Sequence, residues 1–238
     1  MGQRLNARSA KWPKLLVQAT DRLVAQYGTP TLGNFRNPVK EIFYIVLSAR
    51  TTERLYQRAC KQLFERFPTI DLVATAKVKE ILECVKVAGL GRKRAVQLIA
   101  IATRLTTDLG KNPQHRLRKM TPREVFGYLT SLPGVGPKSA LCIMMCSLHL
   151  DVFPVDINVQ RIFERLGTVR KGLKHYQAQK LVPKYVPEGR SKELHVGLVE
   201  HGRRVCLPNR PKCDVCLLSD MCRHGKKNAK TRRIGSGM

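Results

Sequence analysis

Acidic residues are scarce. The 238-residue chain holds 17 Asp and Glu against 44 Lys and Arg, for a formal net charge of +27. A surface that is merely solvated intersperses both signs. The imbalance excludes that reading and calls for an anionic partner, most commonly nucleic acid, with a membrane surface as the lesser alternative. The sequence also lacks an apolar run of transmembrane length and a signal-peptide core near Met1. The expectation is a soluble, intracellular protein, in the cytoplasm or nucleoid of a prokaryote or the nucleus of a eukaryote. Strand signals are missing as well: no period-two alternation flanks an Asn-Gly or Asp-Gly turn. Low complexity is confined to the segment 225–238, "GKKNAKTRR" and "IGSGM", too polar and basic to pack and expected to be disordered.

What is present reads as helix throughout. Asn37 followed by Pro38 fits a capping residue and a proline at the first helical position, leading into "VKEIFYIVLSA". Thr52 opens a second helix with Leu55, Tyr56, Ala59, Leu63 and Phe64 at helical spacing, and Pro68 stops it. "RKRAVQLIAIATRL", 92–105, repeats the pattern through Ala95, Leu98, Ile99 and Ala102. Thr121 and Glu124 bracket a capping box. These apolar stripes are expected to be core.

"EVFGYLTSL", "PGVG" and "PKSALCIMMCSL" then read as helix, tight turn and helix. Gly134 and Gly136 permit positive φ and close backbone approach. The amides of the Leu132–Gly136 turn and of the following helix's first residues form a site for a phosphate, reinforced by the helix dipole. Such a site holds nucleic acid without reading sequence. A bare connector has the same local pattern. Lys138 falls on the first turn of the second helix, where dipole and basic surroundings disfavour its protonated form. That permits an amine nucleophile, with a phosphate clamp as the plainer reading. Asp156, 18 residues on, follows an apolar run at a helix start. It is either an N-cap or one half of a pair with Lys138.

Of eight cysteines, Cys60, Cys84, Cys142 and Cys146 lie in apolar helices and read as buried thiols. Cys206, Cys213, Cys216 and Cys222 are spaced C-x6-C-x2-C-x5-C. In an intracellular chain they point to a metal site, and thiolate chemistry leaves zinc and iron–sulfur both open.

Together these stretches resemble endonuclease III and the helix-hairpin-helix DNA glycosylases. "LPGVGPKSA" resembles the family hairpin, "VDINVQR" its aspartate segment, and the cysteine spacing its 4Fe–4S loop. "IVLSARTTE", "VAGLGRKRAVQL" and "HGRRVC" fall in corresponding places, so the resemblance runs from about residue 15 to 224. It implies an all-α protein of two helical domains: a six-helix barrel with the helix-hairpin-helix over 39–150, and a cluster domain made of 1–38 with 151–224. Double-stranded DNA carrying a modified base or an abasic site would lie in a groove between them, bound by a monomer, with the nucleotide flipped out. The resemblance further implies that Lys138 and Asp156 are catalytic, that Leu132, Gly134, Val135 and Gly136 bind DNA, and that the four clustered cysteines hold a 4Fe–4S cluster. Arg50 lines the lesion side, and Leu90, at the tip of "GLG", is either a wedge or a plain turn residue. The implied activity is a bifunctional DNA glycosylase and AP lyase of base excision repair. Departures are local: Arg50 stands where the family commonly has glutamine, Glu53 for aspartate, and Ile157 and Asn158 for threonine and histidine. "FPVDINVQRIFERLG" and "ELHVGLVEHGRRVC" are similar to the catalytic region of the DEMETER-type plant 5-methylcytosine glycosylases. Modified pyrimidines are therefore the first expectation for the substrate, 5-methylcytosine or G:T and G:U mismatches the second. A non-catalytic iron–sulfur DNA-binding module is the reading from another class.

The charge alone makes a testable statement. Duplex affinity should fall steeply with salt, by about 10³–10⁵-fold between 50 and 200 mM if about six to ten phosphates are neutralised. Fluorescence anisotropy across a salt series measures this, and a flat profile would remove nucleic acid as the reason for the charge.

Overall fold

The computed structural model describes residues 12–49, 51–89 and 91–226. Arg50, Leu90 and most of the basic tail lie outside the described residues. Among the described residues there are twelve α-helices, short 3-10 turns and no strand, as the absence of alternation requires. None of these helices is long and apolar enough to cross a membrane. The chain divides into two compact units, one formed by residues 33–150 and one that joins the chain up to Leu32 with everything from Asp151 onward.

The 33–150 unit contains α2 (Pro38–Leu47), α3 (Glu53–Arg66), α4 (Ile70–Thr75), α5 (Val78–Val85), α6 (Arg92–Leu109), α7 (Pro113–Lys119), α8 (Pro122–Ser131) and α9 (Pro137–Ser147). Its centre is α2. Asn37 caps it by accepting from the amides of Val39, at 2.9 Å, and Lys40, at 3.3 Å. Every residue from Ile42 to Leu47 is buried, so the helix is apolar all round and packs against α3, α7 and α9. Its one buried carboxylate, Glu41, accepts from the Asn34 side chain and the Phe35 amide and so fastens the chain entering the helix. The capping box at α8 forms as the sequence predicts, with reciprocal bonds between Thr121 and Glu124. Thr52 does occupy the position before α3, but its side chain makes no cap bond.

The second unit contains α1 (Trp12–Tyr27), α10 (Ile157–Leu166), α11 (His175–Leu181) and α12 (Ser191–Arg204). Leu16 and Leu23 of α1, Val159, Ile162 and Phe163 of α10, and Leu194 and Leu198 of α12 share one apolar cluster. Two glycines of α12 bring its neighbours close. A Cβ at Gly197 would lie 2.9 Å from Leu23 Cβ, and one at Gly202 would lie 2.7 Å from Asn158 Cβ. Both contacts are too short for any side chain without a shift of the facing helix.

Gly197→Val should therefore destabilise this unit by overpacking, at a cost of about 1–3 kcal/mol. Denaturant unfolding followed by circular dichroism would measure it, and an unchanged midpoint would show that α1 yields freely.

Candidate functional site

The hairpin is built in the 33–150 unit. Helix α8 ends at Ser131, the Val135 amide donates to the Leu132 carbonyl at 3.1 Å to close the turn, and Ala140 makes the first bond of α9 to the Gly136 carbonyl at 2.9 Å. Leu132 and Val135 are buried, with 2% and 3% exposure, so their side chains anchor the turn and only their backbones are left to meet a ligand. The two glycines differ. Gly134 sits at φ 73° in the left-handed region. Gly136 has φ −84° and ψ 174°, extended backbone open to any residue, and a Cβ there would meet nothing within 4 Å. The expectation of positive φ holds for Gly134 alone. The turn is braced from α6: Gln97 Nε2 donates to the Pro133 carbonyl at 2.6 Å, and Arg94 donates to Gln97 Oε1 at 2.8 Å. A Cβ at Gly134 would land 1.8 Å from that same Gln97 nitrogen. Lys138 is half-buried, one residue past the proline that opens α9. The amides of this first turn precede the helix's own hydrogen bonding and carry its positive dipole end. Beside the segments that hold Arg50 and Leu90, the Thr51 hydroxyl donates to the Ala88 carbonyl at 3.1 Å and ties the two loops together.

Asp156 belongs to the other unit. It stands just before α10, with φ −97° and ψ −179°, and its Oδ1 accepts from the Val159 amide at 2.7 Å. The N-cap role is thus real. Oδ2 accepts from Asn158 Nδ2 at 3.2 Å. Both carboxylate oxygens therefore accept a bond from within the first turn of α10, Oδ1 from the main chain and Oδ2 from a side chain.

The same unit gathers the clustered cysteines. Cys206, Cys213, Cys216 and Cys222 line one cavity with Arg165 and His224, and none of the four is in a disulfide. No group of three His, Cys, Asp or Glu side chains converges tightly enough to hold a metal ion among the described residues. The donor set fits a metal cluster: four soft thiols, no disulfide and cations around them. Arg165 donates to Cys206 Sγ at 3.1 Å, to the Leu207 carbonyl and to the Pro208 carbonyl. Arg161 donates to the carbonyls of Cys206 and Gly202. His201 Nε2 lies 3.3 Å from Cys216 Sγ and its Nδ1 lies 3.1 Å from the Tyr27 hydroxyl. Burial pushes the Cys216 thiol up to about 11, raises that of Cys222, and holds His201 down to about 4. Bound cations reverse that tendency in thiols by favouring thiolate.

Sequence reasoning missed Arg161 and Arg165. Their i,i+4 spacing on an otherwise amphipathic helix is the one local sign that they share a face. It missed Gln97, Gln179 and His195 entirely, because each acts through a main-chain atom far away in the sequence.

Residues 43–188 match the family model described as HhH-GPD superfamily base excision DNA repair protein, a span that takes in both the hairpin and Asp156. Endonuclease III of Thermotoga maritima is 30% identical over 200 residues, covering 82% of this chain and 89% of that protein. The Arabidopsis thaliana protein Transcriptional activator DEMETER is 30% identical over 171 residues, 65% of this chain but only 9% of its own length. Among solved structures, a trapped endonuclease III–DNA covalent intermediate superposes with a TM-score of 0.78 at 25% identity, covering 91% of this chain and 98% of that one. The match spans more than half of the sequence and includes the helices that carry the hairpin and the capped aspartate, and so this chain belongs to the HhH-GPD superfamily of base excision DNA repair proteins.

Proposed function

We propose that the protein is a DNA glycosylase with an AP lyase step, acting on duplex DNA that carries a modified pyrimidine or an abasic site. The observation that carries this is Lys138: a half-buried lysine on the first turn of a helix whose leading amides suit a phosphate. A purely architectural DNA-binding module would use Lys138 as a phosphate clamp and Asp156 as a cap, and the substitutions below separate those uses from catalysis. The trapped covalent complex of endonuclease III supports the same chemistry.

The roles follow from residue type. As the C1′–N bond breaks, its electron pair leaves with the base and positive charge develops on the sugar. The Asp156 carboxylate stabilises that charge and takes a proton from the attacking amine. Lys138 Nζ bonds to C1′, and opening of the sugar ring gives a Schiff base. Loss of a C2′ proton then expels the 3′ phosphate with the C3′–O electron pair, and water hydrolyses the imine to release the lysine. The hairpin amides at Gly134 and Gly136 hold phosphate, and Leu132 and Val135 keep the turn in shape. Arg50 would face the gap left by the flipped base, with Leu90 in the stack as the wedge. Substrate preference is read next to Asp156. Ile157 is 75% exposed, and the likeness to DEMETER favours 5-methylcytosine or a mismatched pyrimidine as the second candidate. The place of work is wherever the cell keeps its DNA.

Cys206, Cys213, Cys216 and Cys222 would hold a 4Fe–4S cluster, whose spacing in sequence and shared cavity support it. Held by these cysteines, a cluster would fix the 206–222 segment, and the exposed Arg203, Arg204, Arg210 and Lys212 on and before it would supply positive charge for the DNA backbone.

Two outcomes are expected. Lys138→Gln should abolish borohydride trapping on abasic DNA while affinity stays near parental. Asp156→Asn, which still caps a helix, should lose most excision and bind DNA at least as well. An Asp156→Asn variant that excises at the parental rate would reduce Asp156 to a cap. Anaerobically purified protein should also be yellow-brown with about four irons per chain, and Cys222→Ser should lower both iron content and melting temperature. Fresh protein with stoichiometric zinc and no iron would overturn the cluster assignment.

A further inference from the structure

The six residues from Asp151 to Asp156 form neither helix nor strand, yet the three that lead into Asp156 are fixed by side chains from other helices. Gln179 of α11 accepts from the Val155 amide at 2.8 Å and donates to the Phe153 carbonyl at 2.9 Å. One carboxamide thus serves residues i and i+2 on the same edge of the chain, as a neighbouring strand would. His195 of α12 serves the residue between them. Its Nδ1 lies 2.9 Å from the Pro154 carbonyl, and since a carbonyl only accepts, this nitrogen carries the proton. His195 is 4% exposed and its ring meets Phe153 edge-on with centroids 5.9 Å apart. Phe153 and Val155 are buried to 3% and 0%. At its Asp156 end the segment is held by the cap on the Val159 amide and by Asn158 Nδ2, which donates to Oδ2 at 3.2 Å; at its Asp151 end the carboxylate accepts from the amides of Gly189 and Ser191. The direction of the carboxylate of Asp156 therefore depends on two sets of bonds: the cap sets Oδ1 against α10, and the Gln179 and His195 bonds set the backbone from which the side chain departs.

We propose that Gln179 and His195 are positioning residues for base excision, clipping the main chain at Phe153, Pro154 and Val155 so that the Asp156 carboxylate is held in its working direction. This rests on the catalytic reading of Asp156 given above. Neither residue touches the reacting atoms. A misplacement on the order of 1 Å in a catalytic group costs up to about a hundredfold in rate, which is the scale on which a clip of this kind acts.

The test uses the full chain and duplexes carrying one thymine glycol or one abasic site, with single-turnover cutting, duplex affinity and thermal unfolding measured together. Gln179→Leu and His195→Phe should each slow cutting by about ten- to a hundredfold with duplex affinity unchanged. Gln179→Glu keeps the acceptor for the Val155 amide and loses the donor to Phe153, so its rate should fall between parent and Gln179→Leu; it also carries the test if the leucine variant does not fold. In an Asp156→Asn background Gln179→Leu should take away nothing further, since residues that act as one unit are not additive. A full multiplicative loss in that background, or a loss that follows the folded fraction or the affinity, overturns the positioning role and leaves Asp156 untouched. A parent that cuts neither duplex, or an Asp156→Asn variant that cuts at the parental rate, overturns the reading of Asp156 and this inference with it.

Discussion

Two guanidinium groups one helical turn apart hold the second unit's working parts together. Arg161 and Arg165 project from α10 and donate to the carbonyls of Gly202, Cys206, Leu207 and Pro208. A loop without regular structure has carbonyls that need donors when they are covered. A guanidinium offers five in a fixed fork, whereas an ammonium offers three on a mobile stem. The helix that begins at Asp156 is thereby bonded, along its length, to the segment that begins at Cys206. Asn158 lies against Gly202, beside the Gly202 carbonyl that Arg161 reaches.

The 33–150 unit solves a related problem with one neutral side chain. In its hairpin turn the Pro133 carbonyl accepts from Gln97 Nε2 of α6. The brace and the glycine are coupled, because the space that Gln97 fills is the space a Cβ at residue 134 would need. The turn's left-handed φ and its support from α6 therefore exclude the same substitutions at Gly134, one by backbone strain and the other by volume.

Much of this was legible in the sequence because it is local. Asn37 with Pro38, Thr121 with Glu124, and Asp156 are caps, and a cap acts over two or three residues. The apolar stripes of α3 and α6 follow from a period of 3.6, although Ile101 and Leu105 carry the core face of α6 further than the pattern first indicates. The hairpin and the cysteine spacing were legible as patterns, and resemblance gave them chemistry. The unread parts are those in which a side chain bonds to a main-chain atom far along the chain: Gln179 to Phe153 and Val155, His195 to Pro154, Arg165 to Leu207. Nothing in the local order of residues marks a glutamine or a histidine for such a task. The backbone of Gly136 was misread for a different reason, since a glycine beside a turn looks the same whether or not its φ is positive.

The division of the chain into a continuous piece and a split one bears on how the protein is made. Residues 33–150 emerge from the ribosome as one run and form one compact unit. Helix α1 leaves earlier, but its apolar face, with Leu16 and Leu23, packs on a helix that is synthesised more than 160 residues later. During that interval the face is bare, which is the condition under which nascent chains recruit holding factors or mispair. The apolar strip of α1, with Leu16, Ala19 and Leu23, thus has no core to join until α12 has been made.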